Sequence, residues 1–425
     1  MSIGDGGDRL ARVALTWLTE PGNRLVWQLV QAQGAEETLK QVVGGDVPDA
    51  SLRTAVVARA GLGDPRRVAE VALRRGERLG ARVVTPSDDE WPARVESLAT
   101  LELDIPGRFN RDVRPPLCLW VRGGRPLGEA LERSVAIVGA RAATPYGVHV
   151  TEDLAFGIAE QDWTIVSGGA FGIDAAAHRA ALSAGGSTIA VLACGVDRPY
   201  PMGNAALFER IADCGLLMSE WLPGADPLRH RFLIRNRVIA AAAVGTVVVE
   251  AAARSGAMQT MSRTVALNRH AMIVPGPVTS AMSVGCHELL RRYPQTRVVT
   301  TVAHVLDEIG KIGEYIAEPA RVAGHTRDDL DEESALILEA MPQRGTLGPE
   351  QLAARAGLAL RTVLQRLSLL ETLGLLTRRN DGVALTPAAR QGAERTAMPP
   401  PSPIPARAEG EMVEPNPEGQ PSPAD

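Results

Sequence analysis

Lysine is nearly missing from this chain. Of its 45 Lys and Arg residues only Lys40 and Lys311 are lysines, and so uniform a bias makes the abundance of arginine uninformative, whatever its aptitude for bidentate phosphate contacts. Only the placement of individual arginines carries meaning. Cysteine is scarce too. Cys118, Cys194, Cys214 and Cys286 lie far apart without CxxC or Cys/His spacing, so neither a zinc site nor a disulfide framework is indicated, and reduced, mostly buried thiols are expected. No window approaches the ~18 consecutive apolar residues of a membrane span. The opening MSIGDGGDRLAR has no apolar run of the secretory kind, so a cytoplasmic protein is expected. A net charge of −5 argues against a basic coat over the whole surface but leaves room for a local basic patch. The Walker A pattern GxxxxGK[ST] is absent, and no loop carries GxGxxG in a dinucleotide-binding context.

What is present is enough for several units, since 425 residues exceed one ordinary domain. Residues 8–45 show helical periodicity broken at Pro21-Gly22, which predicts a helical domain over 1–65 that either binds DNA backbone or simply packs. From about residue 80 short apolar runs alternate with helical ones, in a domain expected over 66–310 with an N-terminal extension. Ser134–Val138, Trp163–Val166, Ser187–Leu192, Gly215–Met218, Gly245–Val249 and Ala271–Val274 are candidate strands, several apolar on both faces as a covered parallel sheet requires. The fold class is α/β, an open doubly wound sheet. Residues 311–331 read as a linker. Over 332–390, Pro349 opens one helix, Gly357 stops it, Arg361–Leu370 forms a second, and a hairpin turns at Asn380-Asp381-Gly382, the order of a winged helix. Residues 391–425 are Pro-rich without apolar period and read as disordered.

In such a sheet, ligands bind beyond the carboxyl ends of the strands, where glycine turns let backbone N–H groups approach phosphates. Three turns qualify: Gly139–Gly147 after the first central strand, Ser167-Gly168-Gly169-Ala170-Phe171-Gly172 after the second, and Glu250–Ala257 after a later one. One alone could be a tight turn; three on one edge favour an anion site. The stretch RHRFLIRNR (229–237) adds four arginines. With Asn236 as N-cap of a helix through Ala243, Arg235 and Arg237 sit at the positive end of a macrodipole, a mismatch worth up to ~1 kcal/mol that a bound anion would resolve. Pairing with Glu220 or Asp226 is the alternative. Ser167, Asp174 and His178 do not form a nucleophilic elbow, and Asp174 suits a helix start better than a triad.

The segments IVGAR (137–141), SGGAFGIDAAAH (167–178), GGSTIAVLACGVDRPYP (185–201), SE (219–220), RNRVIA (235–240), VVVEAAARSGAMQT (247–260) and VPG (274–276) resemble, in order and spacing, the DNA-processing protein A (DprA/Smf) family. The resemblance implies a Rossmann-like, mostly parallel sheet with an N-terminal helical domain (SAM- or helix-hairpin-helix-like) and a C-terminal winged helix. It implies a homodimer that binds single-stranded DNA irrespective of sequence, protects incoming strands and loads RecA in natural transformation, without catalytic turnover or cofactor. Carried over by position, Arg141, Ser167, Gly168, Gly172, Arg235, Asn236 and Arg237 would line the phosphate pocket, with Ser255 and Gly256 beside them. Gly169 stands where the family commonly has Leu, Phe171 where some members have Lys, and Gly285-Cys286-His287 in a GTN-type stretch. SGAMQT likewise alters the common SGSLIT.

The competing reading is an enzyme, a nucleoside monophosphate N-glycosidase of the lysine-decarboxylase-like Rossmann group. Its PGGxGTxxE signature is matched here only by AVGTVVVEAAARSG, without the double glycine. On the C-terminal unit, Arg361 and Arg366 are candidate DNA contacts, but Glu371 shares their helix, and a protein-binding role fits as well.

Overall fold

The computed structural model describes residues 5–101, 113–311, 313–315, 330–379, 382–387 and 389. They fall into two compact units, Met1–Glu318 and Pro319–Asp425. The first begins with helices α1 (Asp5–Leu18), α2 (Arg24–Gln33), α3 (Ala35–Val43), α4 (Ala50–Ala60) and α5 (Pro65–Arg78). Local chemistry starts several of these. The side chains of Asn23, Asp49 and Asp64 accept from the backbone N–H of Val26, Leu52 and Arg67, and Pro65 occupies the first turn, where its missing N–H costs nothing.

A nine-stranded sheet follows. Its strands are β1 (Ala81–Val84), β2 (Leu119–Arg122), β3 (Ser134–Val138), β4 (Thr164–Ser167), β5 (Thr188–Leu192), β6 (Leu216–Ser219), β7 (Gly245–Val248), β8 (His270–Ile273) and β9 (Arg297–Val298). The helices between are α6 (Leu127–Glu132), α7 (Pro145–Ala159), α8 (Ile173–Ser183), α9 (Ala205–Cys214), α10 (Arg229–Ala242), α11 (Gly256–Ala266) and α12 (Val284–Arg292), with α13 (Val302–Ile309) closing the unit. The strand order is β1-β2-β6-β5-β4-β3-β7-β8-β9. All neighbours from β6 to β9 pair parallel, while β2 joins β6, and β1 joins β2, antiparallel. The chain winds outward from β3 to β6, then returns through α10 to lay β7 on the other side of β3, so the order reverses between β3 and β7.

Each face of the sheet has its own cover. Along β3, Val135 and Ile137 pack with α7, α8 and α13, whereas Ala136 and Val138 pack with α10 and α11, the period of two expected for a strand buried on both sides. Leu15, Val26, Leu39, Val56 and Ala69 of the N-terminal helices share a core with Trp120, Leu192 and Phe208. The helical layer is therefore continuous with the β5–β2 side of the sheet.

One local expectation is corrected. Asn236 caps no helix: α10 starts at Arg229, directly after the extended Leu228, and runs unbroken to Ala242. Pro227, which lacks the N–H a longer helix would need, lies just upstream. Starting there buries Ile234 beside Ala193 and Trp221, and Val238 and Ile239 in the core that includes Ala136 and Val138 of β3. Arg235-Asn236-Arg237 is thus helix interior, and the dipole argument for it fails.

The second unit contains α14 (Glu332–Ala340), α15 (Pro349–Ala356), α16 (Leu360–Thr372) and the hairpin β10 (Leu376–Arg379) and β11 (Gly382–Leu385). Ile337, Leu352, Val363, Leu367, Leu376 and Leu385 make its core. Gly357 ends α15 in the left-handed region, φ 69°. Arg366 bonds Asp331 and Glu333, each at 3.0 Å, so its charge is already met within the unit. Asn380-Asp381, most of 311–331 and all of 391–425 lie outside the described residues.

Candidate functional site

At the carboxyl edge, where the strand order reverses between β3 and β7, a cleft of about 400 Å³ opens. The β3–α7 turn (Gly139–Ala142) and the β7–α11 turn (Ala252–Ser255) form its walls, and α10 supplies its floor with Arg235 and Asn236 and reaches its rim with Phe232. This is where an open α/β sheet places ligands.

The glycine turns are shaped by backbone packing. Gly172 holds φ 76°, and a Cβ there would fall 2.3 Å from the Ala140 carbonyl and 2.5 Å from that of Arg141. Only glycine lets the β4–α8 turn press against the β3–α7 turn, where Ile173 N–H donates to Ala140 O at 3.2 Å. Gly168 makes room for a side chain instead: a Cβ would meet the Arg235 guanidinium at 2.4–2.6 Å. Arg235 lies in that space and donates to Gly168 O at 2.8 Å, to Val191 O, and through Nε to Asn236 Oδ1 at 3.2 Å.

Arg235 is 5% exposed. Burial pulls its pKa down to about 10, against the pull of nearby Asp174, so it remains charged at neutral pH. Burial pushes the Asp174 carboxyl up, with Arg235 opposing. Asp174 belongs to the first turn of α8 and accepts Ala170 N–H at 3.3 Å. Asn236 donates to Gly256 O at 3.4 Å and so joins the floor to the start of α11, where Ser255 caps by accepting Ala257 N–H. The positive end of α11 faces the cleft.

The rim carries exposed cations. Arg141 lies with its guanidinium 5.4 Å from the Phe232 ring centroid, and that ring is 5.4 Å from Tyr200. Arg254 is exposed one residue before the α11 cap. Neither Arg141 nor Arg254 has an ion pair among the described residues. Two cations, a helix N-terminus, a buried arginine and an aromatic pair have the chemistry to hold an anion joined to a flat ring.

Of the residues expected at the site, Arg141, Arg235, Asn236, Ser255 and Gly256 line this cleft. Gly168 and Gly172 lie behind the lining and shape it. Ser167 is fully buried and spends its hydroxyl on Ile137 O at 2.6 Å. Arg237 is elsewhere: wholly buried, it donates to Glu220 at 2.7 Å. The alternative of acidic pairing holds for Arg231 as well, which bonds Glu20 at 3.1 Å and Asp226 O at 2.9 Å. Sequence reasoning missed Arg254, although it immediately precedes the Ser-Gly pair, and Tyr200.

The carboxylate that an enzyme would need is engaged. Glu250, at the end of β7, accepts from Thr144 N–H at 2.9 Å and Thr144 Oγ1 at 2.6 Å, and so closes the start of α7. His287 hydrogen-bonds Gly276 O at 3.1 Å, and Cys286 is buried against Val249 O.

The profile of the DNA recombination-mediator protein A family matches residues 82–310. A Mycobacterium tuberculosis chain assigned as a DNA processing protein DprA is 44% identical over 362 residues, 85% of this chain and 90% of its own. The DNA processing protein DprA of Streptococcus pneumoniae is 41% identical over 212 residues, 50% of this chain and 73% of its own. An X-ray structure of DprA from the same species superposes with a TM-score of 0.55 at 28% identity, covering 72% of this chain and 95% of that one.

Proposed function

The chain belongs to the DNA recombination-mediator protein A family, and on that premise we propose that it binds single-stranded DNA irrespective of sequence, through the cleft at the β3/β7 reversal. The observation that carries this reading is that exposed cations without an ion pair among the described residues share one cleft with aromatic rings: Arg141, which lies over Phe232, and Arg254 for phosphates, and Phe232 with the adjoining Tyr200 for bases. Nothing in that set reads a base edge through paired donors and acceptors, which fits indifference to sequence. The family resemblance supports the finer assignment: a cytoplasmic homodimer that protects incoming strands during natural transformation and delivers them to RecA, with residues 332–390 acting as a winged helix. Turnover is not part of this role, in keeping with the engagement of both Glu250 oxygens by Thr144.

The test is anisotropy binding of labelled single- and double-stranded oligonucleotides from about 0.05 to 0.3 M salt. Affinity for single strands falls with salt, and Arg141→Ala and Arg254→Ala each reduce the log–log slope by about 0.7, the share of one phosphate. If both variants keep the wild-type affinity and slope, the cleft is not the binding site.

A further inference from the structure

The aromatic pair at the rim leads away from the cleft. Tyr200 ends the loop after β5, and in that loop Arg198 is exposed while Asp197 turns inward. Asp197 Oδ1 accepts Gly224 N–H at 2.7 Å, and Oδ2 meets Arg75 Nη2 at 2.5 Å. Arg75 belongs to α5, so this pair fastens the N-terminal helical layer to the loop that bears Tyr200. It also neutralises the acid standing between the two. From Tyr200 back to Asp197 the chain spans at most about 10 Å.

On α5, Pro65, Ala69, Ala72 and Gly76 are buried. Turned roughly 160° from that face by helical spacing are Arg67, Val71, Arg74 and Arg78, a stripe about 16 Å long. All four are exposed, Val71 at 50%. Arg74 has one ion pair, to Glu70 at 3.8 Å with both side chains at least half exposed, which offers little competition to a phosphate. Arg67 and Arg78 have no acidic partner among the described residues. Arg78 Nε donates to Arg74 O at 3.3 Å, a bond that leaves its charge uncompensated, so the row matches a polyanion.

We propose that single-stranded DNA leaving the cleft passes over Tyr200 and Arg198 onto the outer face of α5, where Arg67, Arg74 and Arg78 contact its phosphates. This rests on the reading of the cleft given above. The helical layer then sets how long a strand the protein engages, and the Arg75–Asp197 pair holds the two parts of the track in register.

The experiment measures binding of oligothymidylates of about 6 and about 24 nucleotides to the full chain and to the triple variant Arg67→Ala, Arg74→Ala, Arg78→Ala, with thermal melting to confirm folding. Three phosphate contacts at about 0.7 each in slope predict up to about 100-fold weaker binding of the long strand near 0.1 M salt. The short strand keeps its affinity within about twofold. Unchanged binding of the long strand, or equal weakening at both lengths, overturns the proposal. Arg141→Ala separates the two readings: if it weakens both lengths while the triple variant weakens neither, only the extension over α5 fails. If Arg141→Ala weakens neither length, the cleft reading fails and the extension with it.

Discussion

Arg237 is the sharpest test of how the basic stretch divides its labour. Its side chain is 0% exposed and that of Glu220 is 4% exposed, with 2.7 Å between Nη2 and Oε1. Arg237 Nε and Nη1 and Glu220 Oε2 have no hydrogen-bond partner among the described residues. Replacing Arg237 by Met fills similar space but strands a buried carboxylate, a loss of about 3–5 kcal/mol in urea denaturation at neutral pH. Glu220 can relax by taking a proton, since burial already pushes its pKa up even with Arg237 opposing. A carboxyl whose folded pKa lies above its unfolded value contributes stability that is complete at low pH and lost as pH rises through the folded pKa. The defect of Arg237→Met therefore shrinks on acidification toward pH 5. Adding Glu220→Leu removes the stranded charge and recovers most of the loss, because a singly bonded buried ion pair is worth little more than apolar packing. The folded fraction of each variant binds single-stranded DNA within about twofold of wild type. An Arg237→Met protein of unchanged stability that fails to bind DNA would refute this placement.

Two further outcomes follow from the core behind the cleft. Gly172→Ala forces a Cβ to 2.3 Å from a backbone carbonyl at φ 76°. The expected loss is at least about 2–4 kcal/mol by chemical denaturation, a change under about 0.5 kcal/mol arguing against the close approach. His178 is fully buried and hydrogen-bonds Thr188 Oγ1 at 2.7 Å; the Thr188 hydroxyl donates to Ile165 O, so Nδ1 carries the imidazole hydrogen. Burial, then Arg235, holds its pKa down to about 3. Because the folded value lies below the unfolded one, its neutral form stabilises fully above about pH 6.5 and that stability is lost as pH falls, about 2 kcal/mol by pH 5. His178→Phe removes this part of the slope, while Asp174 and Glu220, shifted the other way, remain common to both proteins. Equal slopes in the two proteins would show that the imidazole is not held neutral.

The alternation of apolar runs and glycine turns was legible because each strand buried on both faces leaves no polar position, and each turn that approaches another backbone admits only glycine. Ser134–Val138 and Gly245–Val249 were placed almost to the residue. The start of α10 was not legible. Asn236 is a good cap by composition, and only the burial of Ile234 beside Ala193 and Trp221, a tertiary fact, moves the cap eight residues upstream, to Leu228. That shift decides which arginine faces what. Positions 231 and 237 meet Glu20 and Glu220, acids more than ten residues away in sequence, while position 235 reaches under the Gly168 turn. Arg254 escaped notice because a lone arginine in an arginine-rich chain carries no signal until a cleft forms beside it.

The cleft therefore draws its field from two depths, and they do different work. Arg141 and Arg254 stand in solvent, where counterions screen them; if they bind phosphates as proposed, counterion release there sets how steeply affinity falls with salt. Arg235 and the first turn of α11 are held in place by hydrogen bonds to Gly168 O, Val191 O and Gly256 O. Little salt reaches a guanidinium 5% exposed, so its attraction persists where the rim has been screened out, and its fixed position adds no ordering cost on binding. On the proposed reading, the part of the affinity that survives high salt belongs to the floor, which is also where the sheet reversal, the two glycine turns and α10 have to agree for the cleft to exist.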